Sequence, residues 1–290
     1  FTAISAFCNA GFDILGFEKP DNSLIGYAND PLVCIPVALL IIVGGLGFIV
    51  IHNIYYAKLF PSLKKKKRLP LNLHSRVAIC MTVALLVIGT VGFLAFEWNN
   101  TLEGKFLPKV VGLLLPSTSA RTAGFASVDI ASEHDIKKLL TVILMFIGAA
   151  PAGTGGGIKV TTFVVLVATV VSVMFGKEDT TLNHRRIERA LFTGLVHYNR
   201  LDVGRLFATG VILATNDHPI SAIDALFEAT SAFGTVGLTA SLTPTLNWIS
   251  KFVLSLTMFI GRVGPISLAL AIAIKRARNK GAILPEGKIV

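Results

Sequence analysis

The chain has 290 residues, of which 53% are hydrophobic and only 15% carry a charge, and its formal net charge is +10. Several uncharged windows approach or exceed the roughly 20 apolar residues that a helix needs to cross a bilayer, whereas a soluble domain of this length would not contain four or five of them. The composition therefore predicts an integral membrane protein built from helices. The windows are residues 31–51, 77–96, 139–158, 160–176 and, interrupted only by Arg262, 252–274.

The positive charge is gathered in three places instead of covering one face, which argues against nucleic acid as a partner. The clusters lie in residues 58–76, in residues 177–205 and in the tail from Lys275. Because positively charged loops remain in the cytoplasm, we predict a multi-pass protein of the plasma membrane whose basic loops are cytoplasmic. The run at residues 64–68 is either an orientation signal alone or a site for lipid or a partner.

One short pattern occurs three times at constant spacing. Gly11, Gly124 and Gly237 are separated by 113 residues each, and a fixed period indicates a duplicated structural unit. Glycine permits backbone angles that line carbonyl groups along one axis, and rings of carbonyls replace the water around a cation in a pore. Helix-packing glycines are the alternative, but they would not explain the equal spacing. The predicted filter residues are Asn9, Ala10, Gly11 and Phe12, then Thr122, Ala123, Gly124 and Phe125, then Thr235, Val236, Gly237 and Leu238, with the filter mouths extracellular.

Each repeat is predicted to contain an apolar crossing helix, a short helix, the glycine pattern and a second crossing helix. In the middle repeat, residues 75–96 are long enough to cross, while residues 106–119 are too short and fit a re-entrant helix. The second crossing follows Asp135. The last repeat has a short helix at residues 220–233 and a crossing from about Trp248.

The other parts of the repeats are less regular. The last repeat needs a first crossing within residues 189–216, yet only residues 206–215 are cleanly apolar, so this helix is either tilted and partly wet or not contiguous. The first repeat lacks its first crossing and most of its short helix, and we expect residues to be missing upstream. The predicted units are residues 1–60, 61–175 and 176–290.

A glycine-rich stretch at residues 148–157 divides one long apolar segment. Proline and glycine break the helix there, and non-helical backbone at membrane depth must line a cavity. A phosphate-binding loop is disfavoured because Ile158 separates Gly157 from Lys159. We predict a mobile gate whose hydroxyls and amides obstruct the ion path, with a static kink as the alternative. The gate residues are Gly153, Thr154, Gly155, Gly156, Gly157 and Lys159.

Arg262 is the single charge in an otherwise apolar helix, which marks a functional residue by default. It either faces the pore as a barrier to cations or forms a buried ion pair that holds helices together. The six histidines are scattered, and no nucleophile, base or metal-ligand cluster stands out, so the sequence does not predict an enzyme.

These motifs resemble the potassium-translocating subunit of the Ktr/Trk/HKT superfamily, most closely the Ktr type. The resemblance implies an all-α membrane fold of four helix–pore-helix–filter–helix units around one pore, like a potassium channel, of which this chain holds about two and a half. It also assigns the filter glycines, the gating loop ending at Lys159 and the pore Arg262. The motifs are SAFCNAGF at residues 5–12, SARTAGF at 119–125, GTGGGIKVTTF at 153–163, SAFGTVGLT at 231–239 and FIGRVGP at 259–265.

The same resemblance implies function and partners. The expected activity is potassium uptake by a homodimer in the lipid membrane, each protomer with its own pore, controlled by a cytosolic nucleotide-binding ring. No covalently bound cofactor is expected; potassium is the ion at the filter, and sodium is a candidate coupling or activating ion. A less selective sodium or mixed monovalent cation pathway and a non-conducting membrane scaffold remain the alternatives.

Overall fold

The computed structural model describes residues 1–15, 23–28, 30–59, 71–97, 106–176, 181–182, 185–186, 204–216 and 218–263. Within these ranges the regular secondary structure is almost entirely helical. The α-helices are α1 (Thr2–Phe7), α2 (Pro31–Ile54), α3 (Leu73–Glu97), α4 (Phe106–Ser119), α5 (Asp135–Phe146), α6 (Val160–Met174), α7 (Gly204–Thr215), α8 (Ala222–Gly234) and α9 (Trp248–Val263). Shorter elements are 3-10 helices at Ile25–Tyr27 and Thr243–Thr245, a π-helix at Tyr55–Leu59, and the antiparallel strands β1 (Thr181–Leu182) and β2 (Arg185–Arg186).

The helices of the middle and last units lie close to where the sequence pattern predicts them. Helix α4 has the 14 residues of the predicted short helix, and α5 begins at Asp135 as expected. Helix α8 begins two residues later than predicted, after Ser221, whose hydroxyl accepts a hydrogen bond from the amide of Ile223 as an N-cap. Helix α9 begins at Trp248, the predicted residue.

Fewer helices are long enough to cross a bilayer than the uncharged windows predicted. By length and composition, two qualify among the described residues, Pro31–Ala57 and Leu73–Phe96. The window at residues 139–158 does not form one helix, because α5 ends at Phe146 and α6 begins only at Val160. The window at residues 252–274 is described only as far as Val263.

The first and last units share one packing contact between the short helix and the helix that follows it. Helix α2 packs against α1 and α4, helix α8 packs against α5 and α9, and α3 packs against α4 and α5. In both flanking units the end of the short helix lies against a glycine of the next helix: a side chain on Gly44 would overlap the carbonyl of Phe7, and one on Gly261 would overlap that of Phe233. The large apolar side chains on the outer faces of the helices are exposed, including Leu32, Phe48, Val91, Met174 and Phe259, as expected for lipid contact.

Some sequence predictions fall outside the described residues. These are the basic run at residues 64–68, most of the second basic cluster, the tail from residue 264, and residues 189–203 of the irregular crossing. The clean apolar part of that crossing is helical as α7.

Candidate functional site

The three segments that carry the glycine pattern each follow the C-terminal end of a short helix. We call residues 9–12, 122–125 and 235–238 the glycine segments. Each is tied back to its helix by a main-chain hydrogen bond from the residue before the glycine. The amides of Ala10, Ala123 and Val236 donate to the carbonyls of Ser5, Ser119 and Ser231, all at 2.9 Å.

The glycine segments share an unusual backbone conformation. The glycines have positive φ angles of 70°, 85° and 92°, and the residues two positions earlier also have positive φ, at 49°, 77° and 51°. Residues other than glycine rarely adopt positive φ, so its occurrence in three equivalent places is a structural feature of the repeat. The residues between them do not have positive φ, so the sign of φ alternates along each segment. The positive-φ residues are Asn9, Gly11, Thr122, Gly124, Thr235 and Gly237.

The three glycines meet at one place, although they are far apart in sequence. A Cβ atom on Gly11 would lie 2.6 Å from the carbonyl oxygen of Ala123 and 2.9 Å from the Cα of Gly124. One on Gly124 would overlap the carbonyl of Val236, and one on Gly237 would lie 3.9 Å from the Cα of Gly124. The structure thus brings the three predicted glycine segments together.

Polar side chains mark the first residue of each glycine segment. The side-chain oxygen and nitrogen of Asn9 and the hydroxyls of Thr122 and Thr235 are buried without a hydrogen-bond partner in the described part of the chain. Buried polar atoms are nearly always paired, so three unpaired groups at equivalent positions require an explanation. Oxygen atoms in this arrangement are suited to contact a cation or water.

The glycine-rich loop, residues 148–157, lies against these side chains. The predicted helix break is confirmed: the backbone leaves helical geometry after Phe146, and Ile147 and Ile158 form an isolated parallel bridge. A Cβ on Gly155 would overlap the hydroxyl oxygen of Thr122, and one on Gly156 would overlap that of Thr235. The loop can approach the glycine segments this closely only because these two residues lack side chains.

Helix α2 supplies a second contact surface for the loop, which sequence reasoning missed. Gly47 interrupts the helix with φ 77° and ψ 159°. The neighbouring carbonyls of Gly44 and Gly45 accept hydrogen bonds from the amides of Thr154 and Ala150, at 3.2 and 3.0 Å. The interruption therefore leaves helix carbonyls free to hold the loop. The triplet of glycines at positions 44, 45 and 47 was the available signal.

Two cations hold adjacent carbonyl groups of the loop. The Lys159 ammonium donates to the carbonyl of Gly155 at 2.7 Å, and the Arg262 guanidinium donates to that of Thr154 at 2.8 Å. No carboxylate of the described residues forms a salt bridge with Arg262. Among the described residues, the ion-pair alternative for this arginine is thus without support. The contact of Arg262 with the loop was not predicted, because the acceptor is a carbonyl 108 positions away.

A cavity of about 300 Å³ opens on the other side of the glycine segments. It is lined by all three glycines together with two carboxylates, Asp13 and Asp129. Carboxylates around a concave entrance raise the local concentration of cations. The loop lies against the first residues of the glycine segments, whereas the cavity is lined by the glycines and the residues after them. The cavity, the glycine segments and the glycine-rich loop therefore follow one another in that order.

Two buried charged residues near the site were also missed. Arg121, 7% exposed, lies 3.5 Å through its Nη2 atom from the Thr82 hydroxyl and from the Gly148 carbonyl. Glu228 is 4% exposed within α8. Arg121 follows an apolar short helix and Glu228 lies within one, and an ionisable group in such a place was the signal that could have found each of them. The described residues contain no cluster of three or more histidine, cysteine, aspartate or glutamate side chains able to hold a metal ion.

Comparison with known proteins identifies the family to which this chain belongs. The sequence matches the TrkH family of cation transport proteins over residues 1–281, and the chain belongs to this family. It is 34% identical over 294 residues to the Ktr system potassium uptake protein B of Bacillus subtilis, covering 100% of this chain and 62% of that protein. It is 37% identical over 287 residues to the potassium/sodium uptake protein NtpJ of Enterococcus hirae, covering 96% and 60%. The chain thus spans about 60% of the length of these relatives.

The solved structures include a similar fold. The potassium transporter TrkH from Vibrio parahaemolyticus superposes with a TM-score of 0.69, covering 92% of this chain and 56% of that chain, at 16% identity. At this identity the likeness shows the fold alone.

Proposed function

We propose that the three glycine segments of this chain form part of the filter of a potassium-uptake pore in the plasma membrane. The observation that carries the proposal is the meeting of Gly11, Gly124 and Gly237, with equivalent backbone conformations, between an acidic cavity and a non-helical loop. In the proposed pore, the carbonyls of the glycine segments replace the water shell of potassium. The proposed ion-binding residues are Asn9, Ala10, Gly11, Thr122, Ala123, Gly124, Thr235, Val236 and Gly237.

The short helices contribute to the proposed site through their orientation. Helix α8 ends immediately before its glycine segment, and two residues separate the end of α4 from its own. The C-terminal end of a helix carries partial negative charge because its last carbonyls have no partner in the helix. These ends favour a cation at the glycine segments without the cost of burying a carboxylate beside it.

The glycine-rich loop is the proposed gate. Its residues Gly155 and Gly156 lie against the Thr122 and Thr235 side chains, so the loop blocks the inner end of the proposed filter in this arrangement. Lys159 and Arg262 hold the loop there through two main-chain carbonyls. Cations passing this level must move the loop and pass two positive charges. The gate comprises Gly153, Thr154, Gly155, Gly156, Gly157 and Lys159, with Arg262 as the pore barrier.

The assembly around the pore is also proposed. We expect a homodimer in the lipid membrane, bound to a cytosolic nucleotide-binding ring, with basic loops on the cytoplasmic side and filter mouths outside. The units are residues 1–60, 61–175 and 176–290, which divide the chain at the repeat. Potassium is the proposed ion, and sodium is a candidate coupling or activating ion.

Ion flux into vesicles reconstituted with the complete natural protein tests the proposal. Rubidium uptake that potassium suppresses far better than sodium supports the potassium pore. Equal suppression by the two ions supports the second candidate, a mixed monovalent pathway, which is favoured by the name of the NtpJ relative, a potassium/sodium uptake protein. Absence of flux from correctly inserted protein, with its cytosolic partner present, contradicts both and leaves the scaffold role.

A further inference from the structure

Glu228 links the short helix of the last unit to the chain that leaves its glycine segment. Glu228 lies in the middle of α8 and is 4% exposed. One carboxylate oxygen accepts hydrogen bonds from the Thr239 hydroxyl and, at 3.2 Å, from the Ala240 amide. The other accepts from the Thr243 hydroxyl at 3.1 Å. A single buried side chain thus holds residues 239–243 through both of its oxygens.

This contact closes a loop around Gly237. The chain runs from α8 through residues 235–238 and reaches the Glu228 carboxylate immediately afterwards. The start of the same segment is fixed by the Val236 amide, which donates to the Ser231 carbonyl at 2.9 Å. Both ends of the segment are therefore attached to one helix, and the positions of its carbonyl groups depend on both attachments.

The carboxylate is a departure from the internal repeat. The position 113 residues earlier is Leu115, and the one 226 residues earlier is Thr2. In the middle unit the chain after Gly124 is held differently: the Ala126 carbonyl accepts from the Leu24 amide at 2.9 Å, and the Ala126 amide donates to the Ser23 hydroxyl at 3.3 Å. The neighbouring unit supports that segment, whereas the last segment depends on a charge in its own helix.

We infer that Glu228 is a positioning residue that sets the carbonyl geometry of the Gly237 segment and thereby the preference for potassium over sodium. The inference rests on the proposed function. All three partners donate to this carboxylate, as an ionised acceptor requires. Hydrogen bonds to an ionised acceptor are stronger and shorter than neutral ones, so this attachment restrains the segment more than an amide would. Loosening it lets the carbonyls contract around the smaller ion.

The test is Glu228→Gln in the complete natural protein, with half-saturation constants for potassium and sodium uptake measured in uptake-deficient cells. We expect the preference for potassium to fall by roughly fivefold or more, as loss of a charge-assisted hydrogen bond implies, at a similar amount of protein in the membrane. The matched control is Asp224→Asn, four residues earlier in the same helix. Its carboxylate binds Lys138 at 2.8 Å and makes no contact with residues 239–243. The control should keep the wild-type ratio.

Thr243→Val gives an independent measurement if Glu228→Gln does not reach the membrane. It removes one donor to the carboxylate, so it should lower the same ratio, and combined with Glu228→Gln it should add little. If the wild-type protein selects potassium, and the Thr243→Val and Glu228→Gln variants that reach the membrane keep the wild-type ratio, the positioning role alone is overturned. A wild-type protein that does not discriminate between the ions would overturn the proposed function, and this inference with it.

Discussion

At the scale of single residues, the close approach of the glycine-rich loop to the glycine segments depends on missing side chains. A methyl group on Gly155 or Gly156 would overlap the hydroxyl of Thr122 or Thr235. We therefore expect Gly155→Ala and Gly156→Ala to displace the loop and to raise basal rubidium uptake severalfold, less dependent on the cytosolic partner. Gly210→Ala is the control, since nothing lies within 4 Å of a Cβ at that position. Lower uptake by both loop variants at normal protein levels would mean that the loop does not obstruct the pore.

Gly124 and Gly237 should differ in their tolerance of a side chain. Gly124→Ser would place its Cβ on the carbonyl of Val236, whereas at Gly237 the nearest atom is 3.9 Å away and only the φ of 92° opposes substitution. Gly124→Ser and Gly237→Ser should both weaken the selection of potassium over sodium, and Gly124→Ser should also reduce the amount of folded protein. Apparent affinities for both ions, together with membrane protein levels, check this. Unchanged potassium affinity in both variants would argue against their role in a filter.

Arg262 tests whether a charge restrains the loop. Arg262→Gln loses the guanidinium that binds the Thr154 carbonyl and removes one of two positive charges near the loop. We expect a higher maximal uptake rate with little loss of protein. Lys159→Gln should act in the same direction, because it releases the adjacent carbonyl of Gly155. Reduced expression together with reduced flux for Arg262→Gln would instead indicate an essential structural contact.

At the scale of helices, α2 and the glycine-rich loop form one coupled element. A Cβ on Gly47 would lie within 2.7 Å of three main-chain atoms of Ala152 and Gly153, and φ at this residue is 77°. With ψ at 159°, this is a conformation that essentially only glycine adopts, and holding another residue in it costs on the order of 1–3 kcal/mol. Gly47→Ala should therefore straighten α2, release the loop and raise uptake while lowering thermal stability. Wild-type uptake and stability would show that α2 does not hold the loop.

Removing the loop is the stronger change at the same scale. Deletion of residues 152–156 takes away the carbonyls that Lys159 and Arg262 bind and the glycines that contact the Thr122 and Thr235 side chains. We expect higher flux that no longer depends on the cytosolic partner. Reconstituted protein of verified fold is required for the measurement. Partner-dependent flux at the wild-type rate would favour a static kink.

The sequence predicted the helices better than the contacts between them. Helix α4 ends at Ser119 and α9 begins at Trp248 as predicted, because polar turns bound these apolar runs. The interruption at Gly47 was missed although three glycines lie at positions 44, 45 and 47, because the window around them is uniformly apolar and matches one long crossing helix. The loop contact of Arg262 could not be predicted either, because its acceptor is a main-chain carbonyl, which any residue possesses.

At the scale of the whole molecule, the internal repeat explains how distant segments form one site. Equivalent short helices deliver Gly11, Gly124 and Gly237 to a common place, and the intervening long helices α2 and α3 present apolar faces outward. The repeat is not strict: among the described residues only the middle unit has a glycine-rich loop after α5, and only the last unit has a glutamate at the position of Glu228. The repeat therefore predicted the meeting of the glycine segments, but neither the loop contacts nor the buried carboxylate.

The position of a bound ion is the sharpest test of the proposed filter. An experimental structure of the complete natural protein in thallium or rubidium salt, with anomalous scattering to identify the ion, measures where a dehydrated cation binds. We predict a peak where the three glycine segments meet, surrounded by their carbonyl oxygens, and a weaker or displaced peak in Gly124→Ser. A well-ordered structure with cation peaks elsewhere along the helices, and none between Gly11, Gly124 and Gly237, would contradict the proposed filter.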